Sequence, residues 1–211
     1  MNWSPIIVKL SILGQNCERS RELVRKVSRH NRYMGKLRKY SRERSKLINI
    51  DLFQSLIVNG GKIVSFDAEW SPYRPITQLG ITVAENGSVK SFNITIGDFK
   101  SPRFRYGETI NMDNDAAKEW LRSVFQDAEL IIGHSLKNDR SQLHKWGVDM
   151  PEIPFIDTAN WSRYVMRKMD RVGLDNLAKY LGISHKGAHC AGNDSFVTFS
   201  VAEKINQLVV D

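Results

Sequence analysis

The stretch KIVSFDAEWSPYRPITQLGITVAENGSVKSFNITI, residues 62–96, carries the pattern that decides the fold. Three apolar runs lie in it, Lys62 to Phe66, Ile76 to Ala84 and Val89 to Ile96, each short and rich in β-branched residues, as strands are. The last two are joined by Glu85-Asn86-Gly87-Ser88. Asn-Gly between two apolar runs is a strong hairpin signal because both residues tolerate positive φ. The three strands are expected to form an antiparallel meander.

Downstream the period changes. After a polar loop, Asp113 to Phe125 places Ala116, Ala117, Trp120, Leu121, Val124 and Phe125 at helical spacing. A short apolar strand, Leu130 to Ile132, precedes a helix from Ser135 to about Trp146. A strand at Phe155-Ile156 follows, then helices from about Thr158, Leu174 and Asn193. Strands followed by alternating helix and strand predict an α/β fold, a mixed sheet flanked by helices. No internal repeat or low-complexity tract is present.

Upstream, Asp51 to Val58 reads as a helix ended by Asn59-Gly60-Gly61, where the composition shifts. Before it, Cys17 to Leu47 holds twelve Lys or Arg against three Glu, a local balance of +9 in a chain of net charge +8. The basic excess therefore belongs to this segment. Leu23, Val24, Val27, Met34 and Leu37 form a stripe of roughly helical spacing, so one or two basic helices are expected. Two parts follow: a basic helical extension, residues 1–60, and a main domain, residues 61–211.

The 211 residues and 41% apolar content can bury a real core. A pI near 9.5 points to a polyanionic partner. Cys17 and Cys190 lie far apart with no C-x-x-C pair, against a disulfide framework or four-cysteine zinc site and in favour of a reducing compartment, cytoplasmic or nuclear. The acid-free first fifteen residues leave a mitochondrial presequence as an alternative, weakened by Glu18, Glu22 and Glu43. Ile6 to Leu13 is too short and too polar to span a bilayer, so no membrane association is expected.

Asp67 and Glu69 follow the first strand, and their i, i+2 spacing puts both carboxylates on one face, about 6.6 Å apart along the strand. Two converging anions at 4 Å repel by roughly 4 kcal/mol at an effective dielectric near 20. A divalent cation relieves that repulsion, and Mg²⁺ takes hard oxygen ligands. By itself D-x-E is a short pattern, equally served by exposed acids at a strand end. Two further motifs change its weight: Gly133-His134-Ser135-Leu136-Lys137-Asn138-Asp139, with Asp139 in the first turns of a helix, and Ala188-His189-Cys190-Ala191-Gly192-Asn193-Asp194, opening the last helix. His185 and His189 have the i, i+4 spacing of a helical zinc pair, but Gly187 between them predicts a loop. His134 is expected to hydrogen-bond behind the acids rather than to ligate.

This order of acids, with A-H-x-A-x-x-D-x-x-x-T spanning Ala188 to Thr198, resembles the DEDDh branch of the 3′-to-5′ exonuclease superfamily over residues 61–208. Connecting sequence such as Asp157-Thr158 and Gly173-Leu174-Asp175-Asn176-Leu177-Ala178 belongs to the likeness. The resemblance implies a ribonuclease H-like fold and an enzyme that hydrolyses phosphodiester bonds. It assigns Asp67, Glu69, Asp139 and Asp194 as metal ligands for two Mg²⁺ or Mn²⁺ ions, and His189 as general base. Four carboxylates can hold two ions about 3.5 to 4 Å apart, and a histidine of ordinary pKa near 6.5 can take a proton from water at neutral pH.

Two positions depart from the pattern. Trp70 follows Glu69 where many members have Thr, similar to a tyrosine-using branch; its ring would either stack on a base or fill the core. Asn138 stands where DNA proofreading members have an aromatic residue, and H-x-x-x-N-D resembles the RNA exonuclease group and a fungal group linked to RNA silencing or mRNA export. Single-stranded RNA, ahead of DNA, is the expected substrate. Arg25, Lys26, Arg29 and Arg32 would add phosphate contacts, form a solvated face, or dock a protein partner through the N-terminal helices. The competing expectation is a non-catalytic nucleic-acid or protein adaptor on the same fold.

Overall fold

The structure, a computed structural model, describes residues 46–71, 74–167 and 170–210. The basic segment, with Arg25, Lys26, Arg29 and Arg32, lies outside them. The described residues up to 207 belong to one compact unit. Its elements are α1 (Ile50–Asn59), β1 (Ile63–Ser71), β2 (Arg74–Glu85), β3 (Ser88–Ile96), β4 (Glu108–Met112), α2 (Asn114–Phe125), β5 (Leu130–Gly133), α3 (Leu136–Trp146), β6 (Phe155–Asp157), α4 (Thr158–Val165), α5 (Leu174–Leu181) and α6, which begins at Ala191 and runs to Val210.

The six strands form one mixed sheet in the order β4-β3-β2-β1-β5-β6. β1, β2 and β3 are the expected antiparallel meander, and Asn86 and Gly87 turn its second hairpin with φ of 50° and 73°. β5 and β6 add in parallel beside β1. The stretch expected to be a polar loop before α2 contains β4, which pairs in parallel with β3. Only Ile110 and Met112 are half-buried, alternating with exposed residues over five positions, a signal too short to stand out from the loop around it.

β1 divides the molecule by its alternation. Val64, Phe66 and Ala68 point into a core shared with Leu79 and Ile81 of β2, Ala117, Leu121 and Phe125 of α2, and Leu136 and Leu143 of α3. Phe66 meets Phe125 edge to face at 5.8 Å, and each such buried side chain stabilises the fold by about 1.5–3 kcal/mol. Ser65 faces the other side, where its hydroxyl donates to the Ser195 carbonyl of α6 at 2.8 Å. Phe53 of α1 packs on Phe199 of α6 in the same layer. Helices therefore cover both faces of the sheet. No helix among the described residues is long and apolar enough to cross a membrane.

Candidate active site

Asp67 and Glu69 do not follow the first strand; they lie within it. The apolar run stops at Phe66, but β1 continues to Ser71, pairing Asp67 with Gly80 and Glu69 with Gln78 of β2. The charged side chains interrupt the hydrophobic pattern while the backbone ladder goes on, since pairing needs only N–H and C=O groups.

Two glycines bring α6 onto this strand end. A Cβ at Gly80 would lie 1.7 Å from the Ala191 carbonyl oxygen, and one at Gly192 would lie 2.7 Å from Cβ of Asn93. Only hydrogen at both positions lets the helix start sit directly on β2 and β3, beside Asp67. Polar contacts hold it there. Gly192 N–H donates to Asn93 Oδ1 at 3.1 Å, and the Ser195 hydroxyl lies 3.2 Å from that of Thr82. Fully buried Asn193 donates from Nδ2 to the carbonyls of Arg103 and Gly187 and accepts from the Arg105 N–H. The A-G-N-D segment thus builds the approach before it supplies the acid.

As a result, carboxylate oxygens of Asp67, Glu69 and Asp194 lie within 4.8 Å of one another. Asp139 arrives from the opposite face of the sheet on the first turn of α3, buried, its Oδ1 accepting the Ala68 N–H at 3.1 Å. It stands against the backbone between Asp67 and Glu69 rather than within the group of three. Ser135, with φ of 66°, starts this helix, and its N–H donates to Asp157 Oδ1 at 2.9 Å. The same oxygen accepts the Ala159 N–H, so one carboxylate ties the starts of α3 and α4. His134 is the expected hydrogen-bonding residue, Nδ1 lying 2.9 Å from the Thr158 hydroxyl.

The electrostatics are those of a crowded, buried acid cluster. Burial first, then the charges of Asp139, Asp194 and Glu69, hold the Asp67 carboxyl well above its ordinary range. Glu69 is raised by burial and by Asp194, against the lowering influence of His189. Asp139 is pushed up to about 7, burial outweighing the hydrogen bond from Ala68. Burial lowers His134. Hard, close carboxylate oxygens that resist ionisation without a cation are a donor set suited to Mg²⁺ or Mn²⁺. Asp67, Glu69 and Asp194 would hold such ions, with Asp139 adjoining.

His189 sits in left-handed backbone, φ 64°, just before α6, and its N–H donates to Asp194 Oδ2 at 3.1 Å. Its side chain is exposed on a cavity of about 620 Å³ that also receives Glu69, Trp70, Gln78, Phe99 and Lys100. Trp70 is not core: it is 37% exposed and lines that cavity, where β1 carries a register shift. Phe99 and Lys100, in the loop after β3, had no motif to mark them. Nor did the environment of His185. That ring is no zinc partner of His189; Nε2 lies 2.6 Å from Asp194 Oδ1 and Nδ1 lies against Asp175 Oδ1. The hydrogen bond to Asp194 raises its pKa against the opposing effect of burial.

A family model described as DNA polymerase III subunit epsilon-like, C-terminal domain, of DEDDh type, matches residues 74–205. The 3′-5′ exonuclease DinG of Bacillus subtilis is 26% identical over 173 residues, which cover 72% of this chain and 19% of DinG. DNA polymerase III PolC-type of Pediococcus pentosaceus is 26% identical over 162 residues, covering 67% of this chain and 11% of that protein. The chain thus spans less than a fifth of the length of either relative. The solved catalytic unit of Neurospora crassa Pan2, a protease and nuclease domain, has a similar fold, with a TM-score of 0.50 and 14% identity over 72% of this chain and 28% of that one. With more than half of its residues matched and its acids gathered at the end of the central strand of a ribonuclease H-like sheet, the chain belongs to the DEDDh family of 3′-5′ exonuclease type.

Proposed function

We propose that this chain is a metal-dependent 3′-to-5′ exonuclease that hydrolyses single-stranded nucleic acid, RNA in preference to DNA. The observation that carries the reading is the convergence of Asp67, Glu69 and Asp194 within 4.8 Å beside a cavity onto which His189 opens. The name of the DinG relative supports the polarity. Asn138, one residue before Asp139, supports RNA through the resemblance of its motif.

Two divalent ions, when bound, supply Lewis acidity and neutralise the charge that develops in an in-line phosphoryl displacement. The chain's own groups do the rest. Asp67, Glu69 and Asp194 would hold the ions together with Asp139, whose Oδ1 also accepts the Ala68 N–H. His189, on an exposed loop facing Glu69, takes the proton of the attacking water on a ring nitrogen. Trp70 and Phe99 offer aromatic faces to the terminal base, and Lys100 a charge to a phosphate.

End-labelled RNA and DNA oligonucleotides incubated with Mg²⁺, Mn²⁺ or EDTA test polarity, sugar choice and metal need together. The expected result is stepwise shortening from the 3′ end, faster on RNA and abolished by EDTA. Intact substrate under all conditions, with no Mn²⁺-induced rise in melting temperature, would instead mark an adaptor without a metal site.

A further inference from the structure

We propose that His185 is a positioning residue for Asp194 and that Asp175 in turn fixes His185, so that one oxygen of the α6 carboxylate is aimed by a relay reaching back to α5. The proposal rests on reading Asp194 as a metal ligand. Three observations carry it. His185 Nε2 lies 2.6 Å from Asp194 Oδ1, and Asp194 Oδ2 accepts the His189 N–H, so both oxygens of this carboxylate are held from outside the acid cluster. Each oxygen keeps a second lone pair, and an oxygen of Asp194 remains within 4.8 Å of those of Asp67 and Glu69. The His185 side chain is only 5% exposed, and its other nitrogen, which makes no hydrogen bond of good geometry, lies within ion-pair reach of Asp175, on the first turn of α5, whose own side chain is 66% exposed.

The arrangement has a physical purpose. A carboxylate on the first turn of a helix can rotate about χ1 and χ2, and rotation would withdraw its oxygen from Asp67 and Glu69. A buried ring that bonds Asp194 on one nitrogen and pairs electrostatically with Asp175 on the other limits that freedom. Groups behind a ligand that orient it typically contribute 10- to 100-fold in metal affinity or activity. Asp175 needs no contact with metal or substrate to matter, because it acts through the ring.

The test is Mn²⁺ affinity by titration calorimetry on the full chain, comparing wild type with Asp194→Ala, His185→Ala, His185→Gln and Asp175→Ala. Glutamine places an amide N–H near the position of the imidazole Nε2. His185→Ala is expected to weaken Mn²⁺ binding by roughly 10- to 100-fold, His185→Gln to restore most of the loss, and Asp175→Ala to give a smaller weakening in the same direction. A ring that merely fills space would lower the melting temperature of His185→Ala while leaving its Mn²⁺ affinity unchanged; that result overturns the proposal. So does equal weakening by Gln and Ala. Should His185→Ala fail to fold, the surface variant Asp175→Ala decides, and wild-type affinity there overturns the relay. If Asp194→Ala itself binds Mn²⁺ like wild type, the metal-site reading falls and the proposal with it. Loss in Asp194→Ala with none in His185→Ala sinks the positioning role alone.

Discussion

His189 owes its place to two backbone features: left-handed φ at its own Cα and the N–H it gives to Asp194. Neither depends on the imidazole. Replacing the ring should therefore leave the acid cluster intact and remove only the proton acceptor. His189→Ala is expected to retain Mn²⁺ binding and to lose roughly 10²- to 10⁴-fold in rate. Asp67→Asn should abolish hydrolysis and weaken Mn²⁺ binding with no loss of melting temperature, since it removes one of several mutually repelling charges. Steady-state cleavage and calorimetry on both variants check this, and wild-type turnover in Asp67→Asn would remove that residue from the site. The raised carboxyls also set a pH dependence. Asp139, pushed up to about 7, and Asp67 and Glu69, raised by burial, hold protons in the folded chain that the unfolded chain has released. Between the ordinary carboxyl range and about pH 7 the folded state binds more protons, so stability falls as pH rises. His185, raised, acts in the same direction; His134, lowered, opposes it. With EDTA present, the melting temperature is expected to rise as pH is lowered from 8 to 6. The gain from Mn²⁺ should be larger at pH 8, where the metal displaces fewer protons. A melting temperature that drops with pH over this range in EDTA would refute the shifted carboxyls.

At the scale of elements, the meeting of β1, β2 and the start of α6 is what brings Asp194 to Asp67 and Glu69. Gly80 is the test of that meeting. Its Cβ would have to displace backbone, the Ala191 carbonyl, rather than a yielding side chain. Gly80→Ala should cost at least about 1–3 kcal/mol, the range for overpacking, and should weaken Mn²⁺ binding because the displaced helix carries Asp194. Thermal melting and calorimetry read the two effects, and a stable variant with unaltered Mn²⁺ affinity would show that α6 is placed by other contacts. The same elements show what was legible beforehand. The meander was readable because Asn86-Gly87 demands positive φ, and α2 because Ala117, Leu121 and Phe125 repeat at helical spacing; that Asp113 caps this helix rather than belonging to it came from the structure. The extension of β1 through Asp67 and Glu69 was not, because its charges point into the site and break the apolar run. β4 was hidden by its exposed, mixed composition. Asp67, Glu69, Asp139, Asp194 and His189 were named by their motifs. His185 and Asp175 were not, since their pairing arises only when the α5–α6 connection folds back on the helix start.

For the whole molecule, charge is divided between two parts of the chain. Residues 17–47 hold a balance of +9, and the remainder is close to neutral. The acid pocket thus sits in a domain whose net charge adds little long-range attraction for phosphate, and the basic segment is the place to look for a charge contribution to long-strand affinity. If it contributes, each Lys or Arg engaged on a single strand releases counterions, and the slope of log K against log[salt] steepens by about 0.7 per contact. Replacing Arg25, Lys26, Arg29 and Arg32 together with Gln should weaken binding of long single strands and flatten that slope by up to about 3, taking 0.7 for each of the four. Cleavage of a dinucleotide, which reaches only the cavity beside Glu69 and His189, should hardly change. Filter binding across a salt series and dinucleotide turnover separate the alternatives. A wild-type slope would mean that these charges stay solvated or dock a protein. Loss of dinucleotide cleavage would mean that the segment supports the domain itself, because a group that touches only distant phosphates has no means of slowing hydrolysis of a substrate that lacks them.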